Sequence, residues 1–169
     1  MCGVVGFAGR NVLDVGCGRG DLLEYLRGTG REPKEYIGVE AVPELASAAE
    51  VNGKAWDGGG ERVRIVRKDF VAEPACLFTC SDVVAISGSL NTADDEVFYS
   101  TLRRAYDATA HDLVFNFLCS SELAGAPHLF YRDAGTVERF CRNVLGAVPK
   151  RAAGYLRGDA TVALHKPVR

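Results

Sequence analysis

Residues 12–23 read VLDVGCGRGDLL, which sets glycines at 16, 18 and 20 directly after an apolar run and directly before a helical one. Glycine tolerates positive φ and has no β-carbon to hold a ligand off the backbone, and the first turn of a following helix offers amide donors to the same point. The chemistry this permits is the binding of a polar ligand against the main chain. Two carboxylates frame the loop. Asp14 precedes it, and Glu40 ends the second apolar run twenty residues after Gly20, where a carboxylate accepts both hydroxyls of a ribose. A dinucleotide fingerprint begun at Gly16 requires glycine or alanine at position 21, but Asp21 stands there and its charge is badly suited to a pyrophosphate. The pattern argues against a nucleotide-binding oxidoreductase. A ligand carrying an amino group fits better, with Asp14 meeting it directly or through ordered water.

The elements that must position these residues alternate between strand and helix signals. Asn11–Val15 is a short apolar run stopped by glycines, and residues 21–27 form a helix with Leu22, Leu23 and Leu26 on its apolar face, ended by Gly28 and Gly30. A second strand covers 36–40. Pro43 suits the first turn of a second helix, which carries Leu45, Ala48 and Ala49 and closes at Gly53, and the run DGGGE at 57–61 is a turn or loop. Val63, Ile65 and Val66 mark a third strand, and 72–78 a short irregular helix interrupted by Pro74. DVVAIS at 82–87 is apolar nearly throughout, as in a strand covered on both faces. In 94–110, Val97, Phe98, Leu102, Ala105 and Tyr106 recur at helical steps of three and four. A fifth strand at 113–118, a Gly/Pro loop, a helix at 136–145 and two strands at 151–156 and 161–165, joined by a turn at Gly158 and Asp159, complete the chain. This order specifies an α/β fold: an open, mostly parallel sheet between helical layers, with one antiparallel strand at the end. Ligands of such sheets sit at the carboxyl ends of strands where the order reverses.

Composition narrows the partners. A chain of 169 residues, 47% hydrophobic and 25% charged, is the size and make-up of a single globular domain. Twenty Lys+Arg against twenty-two Asp+Glu leave a net charge of -2, so no basic field is present to hold nucleic acid or an anionic membrane surface. No apolar run approaches the ~20 residues of a membrane-spanning helix, and the first ten residues lack the regions of a secretory signal, so a cytoplasmic protein is expected. Six cysteines, at 2, 17, 76, 80, 119 and 141, fall well under the ~8% of a disulfide scaffold and are read as free, buried thiols. Cys76 and Cys80 in CLFTC are the closest pair of metal-ligating type, and the three histidines are distant in sequence, so no metal site is expected.

The succession VLDVGCGRG, YIGVE at 36–40, KDF at 68–70 and DVVAISGSLN at 82–91 resembles the motifs of class I S-adenosylmethionine-dependent methyltransferases, over about residues 12–165. Within them, FNFLCS at 115–120, FYRD at 130–133 and GYLRGDATVALHK at the end are similar to a little-characterised bacterial group of small methyltransferases. The resemblance implies a three-layer Rossmann-like fold whose seven strands lie in the order 3-2-1-4-5-7-6, strand seven antiparallel. It implies S-adenosyl-L-methionine as cofactor, with Asp14, Gly16 and Gly18 at the methionine part and Cys17 as a spacer in that loop. Glu40 then meets the ribose, Ala41 flanks the adenine, Asp69 meets the adenine amino group with Phe70 beside the ring, and Ser87 and Gly88 lie beneath the sulfonium.

Displacement at a sulfonium is already activated, so positioning supplies much of the rate and a general base is optional. Asn91, Asn116, Cys119 and Ser120 are placed by the strand ends to face the transferring methyl, and His128 and Tyr131 lie in the loop after the fifth strand, where specificity residues gather. The implied activity is methyl transfer to a small-molecule acceptor, and the alternative is a module of the same fold that binds cofactor or partner without catalysis. Only about ten residues precede the first strand, short of the helical lid that members usually carry there. A single domain with an open site is therefore expected, completed by the loop at 119–135, by the second subunit of a homodimer, or by further chain.

Overall fold

The computed structural model describes residues 1–57 and 61–167, and the glycine run at 58–60 lies outside them. Two apolar rows on each central strand decide the architecture. In β1 (Asn11–Val15), Val12 faces one side of the sheet and Leu13 and Val15 the other. The same division runs through β4 (Val83–Ile86), with Val83 and Ala85 opposed to Val84 and Ile86, and β5 (Asp112–Leu118), with Val114 opposed to Leu113, Phe115 and Phe117. Strands that are apolar on both faces need cover on both, and two separate cores form. α1 (Asp21–Gly28), α2 (Pro43–Asp57) and the segment before β1 cover one face through Leu23, Leu26, Ala49, Val5 and Phe7. α3 (Asp95–Ala108) and α4 (Ala134–Asn143) cover the other through Phe98, Leu102, Ala105, Val137 and Cys141.

With β2 (Glu35–Glu40), β3 (Val63–Arg67), β6 (Pro149–Ala153) and β7 (Asp159–His165), the sheet has seven strands in the order β3-β2-β1-β4-β5-β7-β6. All pairs from β3 to β5 are parallel, and β7 is antiparallel to both neighbours. The order reverses between β1 and β4, so their carboxyl ends part and leave a crevice there. The Rossmann-like order and the antiparallel seventh strand are as the sequence resemblance implied.

Several boundaries differ from the sequence expectation. Gly53 does not close α2, which continues to Asp57, because its missing side chain is what admits β3: a β-carbon there would lie 2.7 Å from Val63 Cγ1. β6 sits earlier, at Pro149–Ala153, and β7 begins at Asp159, so the turn between them is the five-residue run 154–158. α4 starts at Ala134, not residue 136, because Asp133 caps it, accepting from the Thr136 amide at 2.8 Å. The cysteines are free, but only Cys17 and Cys141 are buried, while Cys80 is exposed. Among the described residues no helix is long and apolar enough to cross a membrane, and no group of three or more His, Cys, Asp and Glu is placed to hold a metal ion.

Candidate functional site

The glycine loop leaves β1 by turning onto β2: the amides of Gly16 and Cys17 both donate to the Val39 carbonyl, at 2.8 and 3.0 Å. The turn needs positive φ at Gly16 (70°) and Gly18 (58°), a region that side-chain-bearing residues enter at a cost. The two glycines differ in surroundings. A β-carbon at Gly16 would fall 2.3 Å from Ser89 Cβ, because Ser89 reaches across from the loop after β4 to donate to the Val15 carbonyl at 2.8 Å. At Gly18 nothing among the described residues lies within 4 Å of that position, so the loop presents bare main chain to open space. Cys17 between them turns inward. Its sulfur packs over Gly38, and burial pushes its thiol well above the ordinary value, so the residue contributes backbone only.

Glu40 is 7% exposed and fastens the loop to its own turn: Oε2 accepts from the Gly18 amide at 2.9 Å and Oε1 from the Val42 amide at 2.8 Å. Each oxygen keeps a second lone pair for a ligand hydroxyl. Asp14, one row inside the loop, is 1% exposed. The Tyr36 hydroxyl donates to its Oδ2 at 2.6 Å, while Oδ1 is buried with no partner among the described residues. Desolvation, with the nearby Glu40 and Asp21 charges adding to it, lifts its carboxyl to about 7 despite the Tyr36 bond. Asp69 is exposed at the end of β3, its Oδ1 accepting from the amides of Val71 and Ala72, and Phe70 is half-buried, its ring edge near Gly16.

A family profile described as a methyltransferase domain matches residues 12–112, more than half of the chain. The chain belongs to this methyltransferase-domain family. Solved structures with the same fold include magnesium protoporphyrin IX methyltransferase from Synechocystis PCC 6803 with bound S-adenosylhomocysteine, 14% identical, at a TM-score of 0.74 over 95% of this chain and 75% of that one. A SAM-dependent methyltransferase from Archaeoglobus fulgidus is 19% identical, at a TM-score of 0.70 over 95% and 88% of the two chains. An O-methyltransferase family protein from Burkholderia thailandensis is 15% identical, at 0.73 over 93% and 51%. Among curated proteins no sequence matches the chain.

S-adenosylmethionine, the cofactor that the methyltransferase resemblance implies, suits these residues. The unpartnered Asp14 Oδ1 is a carboxylate oxygen that lacks a donor, the space over Gly18 admits a ligand at the backbone, and the Glu40 carboxylate has acceptor capacity left. Ala41 is exposed beside Glu40, and Ser87 is exposed where β4 ends.

The candidates for the transfer step separate. Asn116 lies at the site: its Oδ1 accepts from the Gly88 amide at 2.7 Å and its Nδ2 donates to Asp159 Oδ2 at 3.2 Å. Asn91 is a brace, accepting from the Leu118 amide at 3.2 Å through its side chain and from the Phe130 amide through its carbonyl. His128 and Tyr131 are exposed, and among the described residues none of 119–135 lines the cleft that Leu22, Tyr25, Ser87 and Asn116 border. Sequence reasoning missed Tyr36 as the partner of Asp14, Ser89 as the reason for Gly16, and the polar pair Asp159 and Thr161 at the start of β7. That last pair left a signal, since two buried polar residues interrupt an otherwise apolar strand.

Proposed function

We propose that the protein is an S-adenosylmethionine-dependent methyltransferase acting on a small molecule. The observation that carries this reading is the Gly18 main chain, open above and held by Glu40, with the unpartnered Asp14 Oδ1 on the strand that leads into that loop. Glu40 is the ribose acceptor, Asp14 receives the ammonium of the amino-acid end, and Asp69 and Phe70 bound the adenine. The bound cofactor supplies an activated methyl group whose bonding electron pair stays on sulfur. The chain's own work is then placement: Ser87, Gly88 and Asn116 set the floor under the reacting atoms, and no metal ligand set is required of it. Free thiols at all six cysteines suit a reducing cytoplasm.

A thermal-shift comparison of S-adenosylhomocysteine with NAD tests the proposal. At 100 times the dissociation constant the former stabilises by about 2.7 kcal/mol and the latter leaves the protein unchanged. A shift with NAD alone, or with neither, would overturn it.

A further inference from the structure

Beside the glycine loop, on the α1 side of the sheet, lies a cleft of about 740 Å³, within the range that takes a drug-sized molecule. Its floor is one row of residues across four strands. Ser87 continues β4, Asn116 stands on β5 opposite Thr161 on β7, and Thr161 is opposite Ala152 on β6. Leu22 and Tyr25 of α1 form one wall. Tyr155, from the turn between β6 and β7, forms another.

Two residues from Thr161 along β7, on the same face, is a buried carboxylate that the cofactor site does not use. Asp159 is 6% exposed, and its hydrogen-bond partners are neutral, the Tyr155 hydroxyl at Oδ1 and the Asn116 amide at Oδ2. Burial raises its carboxyl above the usual range, and burial with the Asp159 bond pushes the Tyr155 phenol up to about 12. The other titratable groups acting on the pair are the Met1 ammonium and the Cys119 thiol. Tyr155 itself is 55% exposed, and its oxygen also lies 2.7 Å from Thr161 Oγ1. A phenol in the cleft wall is thus backed by a carboxylate, and the carboxylate is tied through Asn116 to Gly88, beside the cofactor loop.

Resting on the function proposed above, we infer that this cleft is the acceptor site and that Tyr155 and Asp159 form a proton relay for an aromatic hydroxyl. As the acceptor oxygen engages the methyl group, its O–H bond breaks and the proton passes to Tyr155 Oη. The Tyr155 proton passes to Asp159 Oδ1, and the O–H electron pair stays on the acceptor oxygen, so one proton leaves per methyl transferred. The net transfer is from the acceptor oxygen to the Asp159 carboxylate, whose hold on a proton burial raises, and a phenol lies far nearer to it in acidity than an alkanol does. Leu22 and Tyr25 give a flat aromatic acceptor the apolar wall it requires.

The test is binding to the S-adenosylhomocysteine-loaded protein, followed by ligand-observed NMR and calorimetry with catechol, 1-naphthol, anisole and cyclohexanol as probes. The expected result is that the two phenols bind and that anisole and cyclohexanol bind more weakly. Tyr155→Phe should lose about tenfold in phenol affinity, the loss of one hydrogen bond, with S-adenosylhomocysteine affinity unchanged. A purely structural role for the hydroxyl would spare the phenol affinity. Asp159→Asn should keep phenol binding within a few-fold and lose turnover of whichever phenol is methylated. Failure of the wild type to bind S-adenosylhomocysteine would overturn the proposed function. Normal S-adenosylhomocysteine binding with no phenol binding, or with phenol binding indifferent to Tyr155→Phe, would overturn the relay alone.

Discussion

The Tyr36 hydroxyl donates to Asp14 Oδ2 at 2.6 Å across the β1–β2 pair, and this bond occupies one oxygen of a fully buried carboxylate while the other stays without a partner. Desolvation lifts the carboxyl to about 7 in spite of that bond. A raised carboxyl holds its proton in the folded state between the unfolded value near 4 and the folded value near 7, so stability declines as pH climbs through that window. Three units correspond to a loss on the order of 4 kcal/mol, complete above the folded value. Asp14→Asn has no such proton to lose. Its unfolding free energy should change far less than that of the wild type between pH 5 and pH 8, as urea denaturation at the two pH values measures.

The same titration bears on the ligand. An ammonium docked on Oδ1 requires the charged carboxylate, so S-adenosylhomocysteine affinity should fall as pH drops below about 7, approaching tenfold per unit for one linked proton. Asp14→Asn should bind weakly at every pH, with a flat profile. Calorimetry from pH 5.5 to 8 reads both slopes, and a wild-type affinity independent of pH would remove Asp14 from the ammonium site.

Gly16 and Gly18 share a left-handed backbone but differ in neighbours, which separates folding from binding. Gly16→Ala drives its new methyl into Ser89, and overpacking together with the left-handed cost should remove about 2–4 kcal/mol of stability. Adding Ser89→Gly removes the clash and should recover all but about 1 kcal/mol plus the cost of the lost Ser89 bond. Gly18→Ala meets open space, so only the backbone cost of about 1 kcal/mol applies, yet its methyl occupies the ligand's approach. Its melting temperature should stay near the wild type while the S-adenosylhomocysteine shift disappears.

The parts of this structure that are periodic or punctuated were legible from the residues. Apolar runs on both faces of Val83–Ile86, the helical spacing of Phe98, Leu102 and Ala105, and the glycines after Val15 are local signals, and each element formed where they stand. Glu40 and the loop were readable for the same reason, since a strand end followed by a turn fixes where a carboxylate must sit. What was not legible depends on strands brought together from far apart. Tyr36 reaches Asp14 only because β2 lies beside β1, and Asn116 meets Asp159 only because β7 returns antiparallel to β5. Gly53 misled because a glycine that stops a helix and one that lets a strand approach it look alike in sequence.

Arg132 shows a second long-range tie, at the other face of the sheet. It is 5% exposed, with Nε donating to Asp95 Oδ1 at 2.9 Å, Nη2 to the Ala93 carbonyl at 2.6 Å, and the guanidinium 3.9 Å from the centre of the Phe98 ring. Its Nη1 is buried with no partner among the described residues. The residue therefore joins the end of the loop before α4 to the start of α3, but it does so by placing a charge where only one exposed carboxylate offsets it. Desolvation takes back much of what the ion pair gives, whereas the stem and the ring contact are gained in full. Arg132→Met keeps the stem over Phe98 and removes the unpaired donor, so its stability should stay within about 1 kcal/mol of the wild type. Arg132→Ala loses the packing as well and should cost about 3 kcal/mol. Urea midpoints for the two variants decide the matter: equal losses would mean that the charge, and not the packed stem, holds this loop to α3.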